Sequence, residues 1–92
     1  NFIDQELAEF AKAIAHPARL KAVLLIANNT NEDMTAKAIQ KEIPLSQSTI
    51  AQHLKQLRDV GLVETQLRTM DKSSHLCYRI NIKALKYHNL KR

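Results

Sequence analysis

Residues 35–61, TAKAIQKEIPLSQSTIAQHLKQLRDVG, read as a short helix, a tight turn and a longer helix. Thr35 stands immediately before the first periodic residues, where its hydroxyl can accept a first-turn N–H as an N-cap. Ala38 and Ile39 then face inward, and Pro44 biases Ile43 away from helical geometry, so the first helix is expected to stop near Glu42. Ser46 restarts the chain as the next N-cap. In the longer helix Ile50, Leu54 and Leu57 recur at i, i+4 and i+7 and form one apolar stripe. Gly61, the only glycine in the chain, falls just past this pattern, where a left-handed C′ position carries no Cβ penalty.

The face opposite the stripe is unusual for a solvated helix. At about 100° per residue, Ser48, Gln52, Lys55 and Gln56 point away from the stripe with Thr49 flanking, and no acid appears until Asp59. Gln donates and accepts in a bidentate way, Ser and Thr serve either role, and Lys supplies charge, so this face suits base edges and phosphates. An ordinary exposed face carries Glu as well as Lys.

Beyond Gly61 the periodicity changes to that of strands. LVETQLRTM sets Val63, Thr65 and Leu67 against Glu64, Gln66 and Arg68; DKSS makes a turn; HLCYRI then sets Leu76, Tyr78 and Ile80 on one side. The two runs predict a hairpin whose apolar side, with Leu76, Tyr78 and Ile80, rests on the helices. Its tip and outward face offer Arg68, Lys72, Ser73 and Arg79 to phosphates or a minor groove.

On the other side, Ile3, Leu7, Phe10 and Ile14 fall at helical spacing, with Asp4, Glu6 and Glu9 in the early turns where the helix dipole favours them. His16 and Pro17 end this helix, and Pro17 is well placed as the first residue of the next. That second helix, residues 17 to about 27, puts Leu20, Val23, Leu24, Leu25 and Ile26 on more than one face, as for a helix central to a core or shared with a partner. NNTNED, residues 28–33, reads as a loop. From about residue 82 to the end a weak amphipathic pattern around Leu85, Tyr87 and Leu90 suggests a fifth helix.

Ninety-two residues make one domain, 1–92, near the lower end of what buries a workable core. A single cysteine forms no internal disulfide and fits a cytoplasmic setting, and no apolar run approaches the roughly 20 residues of a membrane span. The net charge of +5 is unevenly placed: residues 1–34 carry −2 and residues 35–92 carry +7. The basic half holds the two-helix unit, which points to double-stranded DNA, a polyanion whose counterions are released on binding.

The run LSQSTIAQHLKQLRDVGLVE, preceded by AIAHPARLKAVLLIA and followed by a basic hairpin, resembles the ArsR-type winged helix-turn-helix transcriptional repressors. The resemblance runs from about residue 10 to the final helix. It rests on the Ser-Gln-Ser entry to the longer helix, the His53-Leu54 pair and the Gly-Leu-Val exit. It implies a mostly α fold of five helices with a two-stranded β wing, and a homodimer made by the first and last helices, for which Ile3, Leu7, Leu85 and Leu90 are the interface candidates. Core filling competes for each of those four. It also places base-reading positions on Gln47, Ser48, Ala51 and Gln52; alanine at 51 removes the hydroxyl often found there.

Family members that sense metals carry Cys-x-Cys or Asp-x-His motifs, which align here with Thr35 and Lys37 and with Asn81 and Lys83. Protonated Lys, Asn and Thr are poor ligands for soft ions, so neither a metal nor any other cofactor is expected. His16 reads as a boundary or capping residue, and His53 as a packing residue or phosphate contact. No nucleophile with a base at a telling spacing appears, and no enzyme is expected.

The sequence therefore reads as a dimeric DNA-binding repressor. Gln47, Ser48, Thr49 and Gln52 face the bases; Lys55, Arg68, Lys72, Ser73 and Arg79, with Thr35 and Ser46, meet phosphates. Two other readings stay open: a winged-helix module that binds an acidic protein, and a regulator switched by oxidation of Cys77, whose thiolate Arg79 could stabilise. No effector is assigned.

Overall fold

The computed structural model describes residues 2–29 and 34–81. They form α1 (Phe2–Ile14), α2 (Pro17–Asn28), α3 (Ala36–Glu42), α4 (Gln47–Asp59) and an antiparallel hairpin of β1 (Val63–Met70) and β2 (Ser73–Ile80). The described residues thus hold four helices, not the five expected; the last expected helix, with Leu85 and Leu90, lies outside them. The described helices are too short or too polar to cross a membrane.

Local chemistry sets the helix boundaries. His16 caps α2, its ring Nδ1 accepting the Ala18 N–H at 3.2 Å, with Pro17 at the first position as expected. Thr35 Oγ1 accepts the Ala38 N–H at 3.2 Å and Ser46 Oγ the Thr49 N–H at 3.3 Å, so both predicted N-caps are in place. Between them Ile43 adopts extended geometry ahead of Pro44, and α3 ends at Glu42. Gly61 sits at φ +83°, the left-handed stop that follows α4.

The core is built where the four helices and the base of the hairpin meet. Ile39, Ile50, Leu54 and Leu57 of the two-helix unit are buried with Ala13, Ala22, Ile26, Met34, Ile43, Leu62 and Val63. The α4 stripe accordingly does what its spacing predicts. In α2 the apolar residues divide: Ala22 and Ile26 are buried, while Leu20 and Leu24 are exposed.

The hairpin departs from expectation in two ways. Its turn is two residues rather than four: Asp71 and Lys72 have φ of 50° and 69°, and Ser73 and Ser74 are already paired with Met70 and Thr69. Two central residues at positive φ mark the type I′ turn, whose twist matches that of the strands. Secondly, the inner face carries apolar residues as far as Leu67 and Leu76 but is covered only at its base. Val63 is buried and Tyr78 and Ile80 pack against the core, whereas the cross-strand pair Leu67 and Leu76 is 68% and 40% exposed, because the hairpin outruns the helices. Leu76 therefore does not rest on the helices as expected. Cys77, on the other face, is only 2% exposed. There the chain ahead of α3 lies against the free edge of β2: Thr35 forms an isolated antiparallel bridge with Cys77, and the Tyr78 N–H donates to the Met34 carbonyl at 2.8 Å.

Candidate nucleic-acid interface

The first turn of α4 carries no acidic side chain, and its leading N–H groups lack intrahelical acceptors, so this end of the helix is electropositive. Gln47, Ser48, Gln52, Lys55 and Gln56 are exposed and Thr49 is half-buried, leaving a continuous polar face opposite the buried stripe. Ala51 is also exposed and contributes no hydrogen-bonding group. The Ser46 hydroxyl donates to Thr49 Oγ1 at 2.8 Å and lies 3.3 Å from Ser48 Oγ. Three hydroxyls are thus gathered at the N-terminus of α4, with Thr49 and Ser46 already engaged in capping.

Lys55 pairs with Asp59 one turn on, at 3.0 Å. Both side chains are more than half exposed, so the pair is weak and its ammonium can exchange to a phosphate at little cost. Sequence reasoning noted Asp59 only as the end of the acid-free stretch; the i, i+4 spacing already contained the pair.

The strand register places Arg68 opposite His75 and Glu64 opposite Arg79, which puts both arginines on one face of the wing. Arg79 also donates from Nη1 to Gln66 Oε1 at 3.1 Å, a diagonal contact that holds its guanidinium along the strand. Ser73 Oγ is 2.9 Å from His75 Nε2, a partner the sequence reading did not consider. Lys72 stands at the tip, in the left-handed position that glycine usually fills in such a turn. Holding a lysine in that conformation costs about 1–2 kcal/mol.

Of the positions that align with metal ligands in related sensors, Thr35 and Asn81 serve the backbone instead. Thr35 caps α3, and Asn81 donates from Nδ2 to the Gly61 carbonyl at 3.1 Å and from its backbone to Leu62 at 2.9 Å. Among the described residues no three of His, Cys, Asp and Glu converge. Cys77, at 2% exposure, is sheltered from solvent oxidants. For the expected interface, Leu7 is exposed on α1; the side chain of Ile3, and all of Leu85 and Leu90, lie outside what is described.

Residues 16–65 match the family described as bacterial regulatory protein, arsR family. The chain is 39% identical over 64 residues to nodulation protein NolR of Rhizobium meliloti, covering 68% of this chain and 50% of that protein. The chain spans about half the length of the curated relatives it matches. The crystal structure of the transcriptional repressor BigR from Xylella fastidiosa superposes with a TM-score of 0.68 at 28% identity, covering 95% of this chain and 83% of that one. A homodimeric winged helix-turn-helix DNA-binding domain from Mycobacterium bovis, a possible ArsR-family regulator, superposes with a TM-score of 0.68 at 25% identity, covering 94% and 74%.

Proposed function

Because this chain belongs to the arsR family of bacterial regulatory proteins, we propose that it is a dimeric transcriptional repressor that acts by occupying DNA at a promoter. The observation that carries this reading is the exposed polar face of α4, free of acid until Asp59 in the last turn, opposite a fully buried stripe. A helix of that kind, about 10–12 Å across, fits the roughly 12 Å major groove. Ser48 and Gln52 lead the base contacts, with Gln47 and Thr49 beside them. Lys55, Arg68, Lys72, Ser73 and Arg79 neutralise or bind phosphates, and the helix starts at Thr35 and Ser46 add contacts there.

Dimerisation follows from the exposed apolar surface of the first helices, where Leu7, Leu20 and Leu24 await a partner. Ile3, Leu85 and Leu90 complete the proposed interface. A two-fold dimer presents its α4 helices to major grooves about 34 Å apart on a pseudo-palindromic site. The homodimeric relative from Mycobacterium bovis supports this assembly.

The test is anisotropy of the purified protein on the DNA upstream of its own gene, against scrambled DNA, at two salt concentrations. A preference of about a thousandfold or more at physiological salt is expected of a specific regulator. Equal and steeply salt-dependent binding to both would overturn the repressor reading and leave a basic fold that touches phosphate.

A further inference from the structure

His16, Arg19 and His53 form a basic cluster where the start of α2 meets the middle of α4. The two imidazoles lie 4.5 Å apart, tilted at 47°. Since His16 Nδ1 accepts the Ala18 N–H, its Nε2 carries the ring proton and is a donor. Arg19, two residues into α2, holds its Nε buried and without a hydrogen-bond partner. The first turn of α2 carries no acidic side chain, so the positive end of the helix dipole adds to these groups. The ion pairs Lys12 with Glu9 and Lys55 with Asp59 do not involve the cluster.

A guanidinium N–H with no acceptor is costly, and an oxyanion that accepts from Arg19 and from the His16 Nε2–H offsets that cost. We infer that His16, Arg19 and His53 form a phosphate-binding site on the flank of α4, occupied in the complex by a backbone phosphate of bound DNA. The inference rests on the DNA-binding reading above. By helical projection His53 lies on the same flank as Thr49 and Gln56, between the buried stripe and the exposed face. A helix seated in the major groove has phosphate backbones along its flanks, so the source of the anion lies beside the cluster.

Proton linkage distinguishes this site from a merely packed cluster. In the unbound chain, burial first and then His16 and Arg19, the groups that face it from α2, hold the His53 pKa below its usual value. A phosphate at the site reverses that pressure, so His53 takes up a proton as DNA binds.

The experiment is DNA affinity at constant ionic strength at about pH 8 and about pH 6, for wild type, His53→Gln and Arg19→Gln, with folding followed by circular dichroism. Wild-type affinity is expected to rise about three- to tenfold over this interval, within the limit of tenfold per pH unit for one proton. His53→Gln should lose that rise, and Arg19→Gln should bind several-fold more weakly at both values. A second arm needs no variant: inorganic phosphate is titrated into the wild-type protein while the His53 ring resonances are followed by NMR. An upward move of the His53 pKa shows that the site accepts a phosphate oxyanion from any source. If wild type prefers its own DNA and His53→Gln keeps the same pH slope, the phosphate site is overturned and the repressor reading stands. If wild type binds no DNA while phosphate still moves His53, the anion site stands and the repressor reading falls.

Discussion

Asn81, one residue past β2, donates its side-chain N–H to the carbonyl of Gly61 at 3.1 Å, so the chain leaves the wing tied to the point where it entered. The bond joins the C-terminal stop of α4 to the base of the hairpin. Asn81→Ala should cost about 0.5–1.5 kcal/mol, the usual net value of one hydrogen bond, read as a lowered urea midpoint.

Gly61 is constrained by its backbone alone. At φ +83°, with nothing within 4 Å of a Cβ placed on it, Gly61→Ala meets no clash but must hold a left-handed conformation. A loss of about 1–2 kcal/mol is expected, with Gly61→Asn losing less. Equal losses for the two would mean that side-chain volume, not φ, decides the position.

His53 makes stability depend on pH in a definite direction. Its folded pKa lies below the ordinary 6.5, chiefly through desolvation and then through His16 and Arg19, so the folded chain resists its protonation. The stability this group contributes is complete above about pH 6.5 and is lost as pH falls through the lower, folded value. Urea midpoints should therefore drop between about pH 7 and pH 5, and the drop should be smaller in His53→Gln.

Lys72 sets conformation against charge. Lys72→Gly relieves about 1–2 kcal/mol of left-handed strain but adds about 0.5–1 kcal/mol of unfolded-state entropy, for a net gain of about 0–1.5 kcal/mol. The same change should weaken binding to specific and random DNA alike and flatten the slope of log affinity against log salt by about one unit. An unchanged slope would remove Lys72 from the phosphate contacts.

Gln52 should behave in the opposite way. Gln52→Ala is expected to cost about 1–3 kcal/mol on the specific site and much less on scrambled DNA, because a bidentate amide reads one base pair. Equal losses on the two DNAs would place Gln52 outside base readout.

Much of the site was legible before any coordinates because its limits are local. Thr35 and Ser46 each accept from the N–H three places on, Pro44 acts on Ile43, Gly61 answers a backbone angle at its own position, and the Ile50, Leu54 and Leu57 stripe recurs within three turns of one helix. Each of these is decided by neighbours within about one helical turn, so the residue types alone determined the helix-turn-helix and the polar face of α4.

The wing and the basic cluster were decided elsewhere. Alternation separates the two faces of a hairpin but does not say where its support ends, so Leu67 and Leu76 looked like packed residues until the tertiary structure showed the helices stopping short of them. Cys77 is buried on the face read as outward because Thr35, 42 positions earlier, bridges it along the edge of β2. His16 and His53, 37 residues apart, meet only because α2 packs across α4. Sequence by itself determined the elements and their boundaries, which are short-range backbone chemistry; the fold alone decided which side chains face one another, since that depends on how finished elements pack.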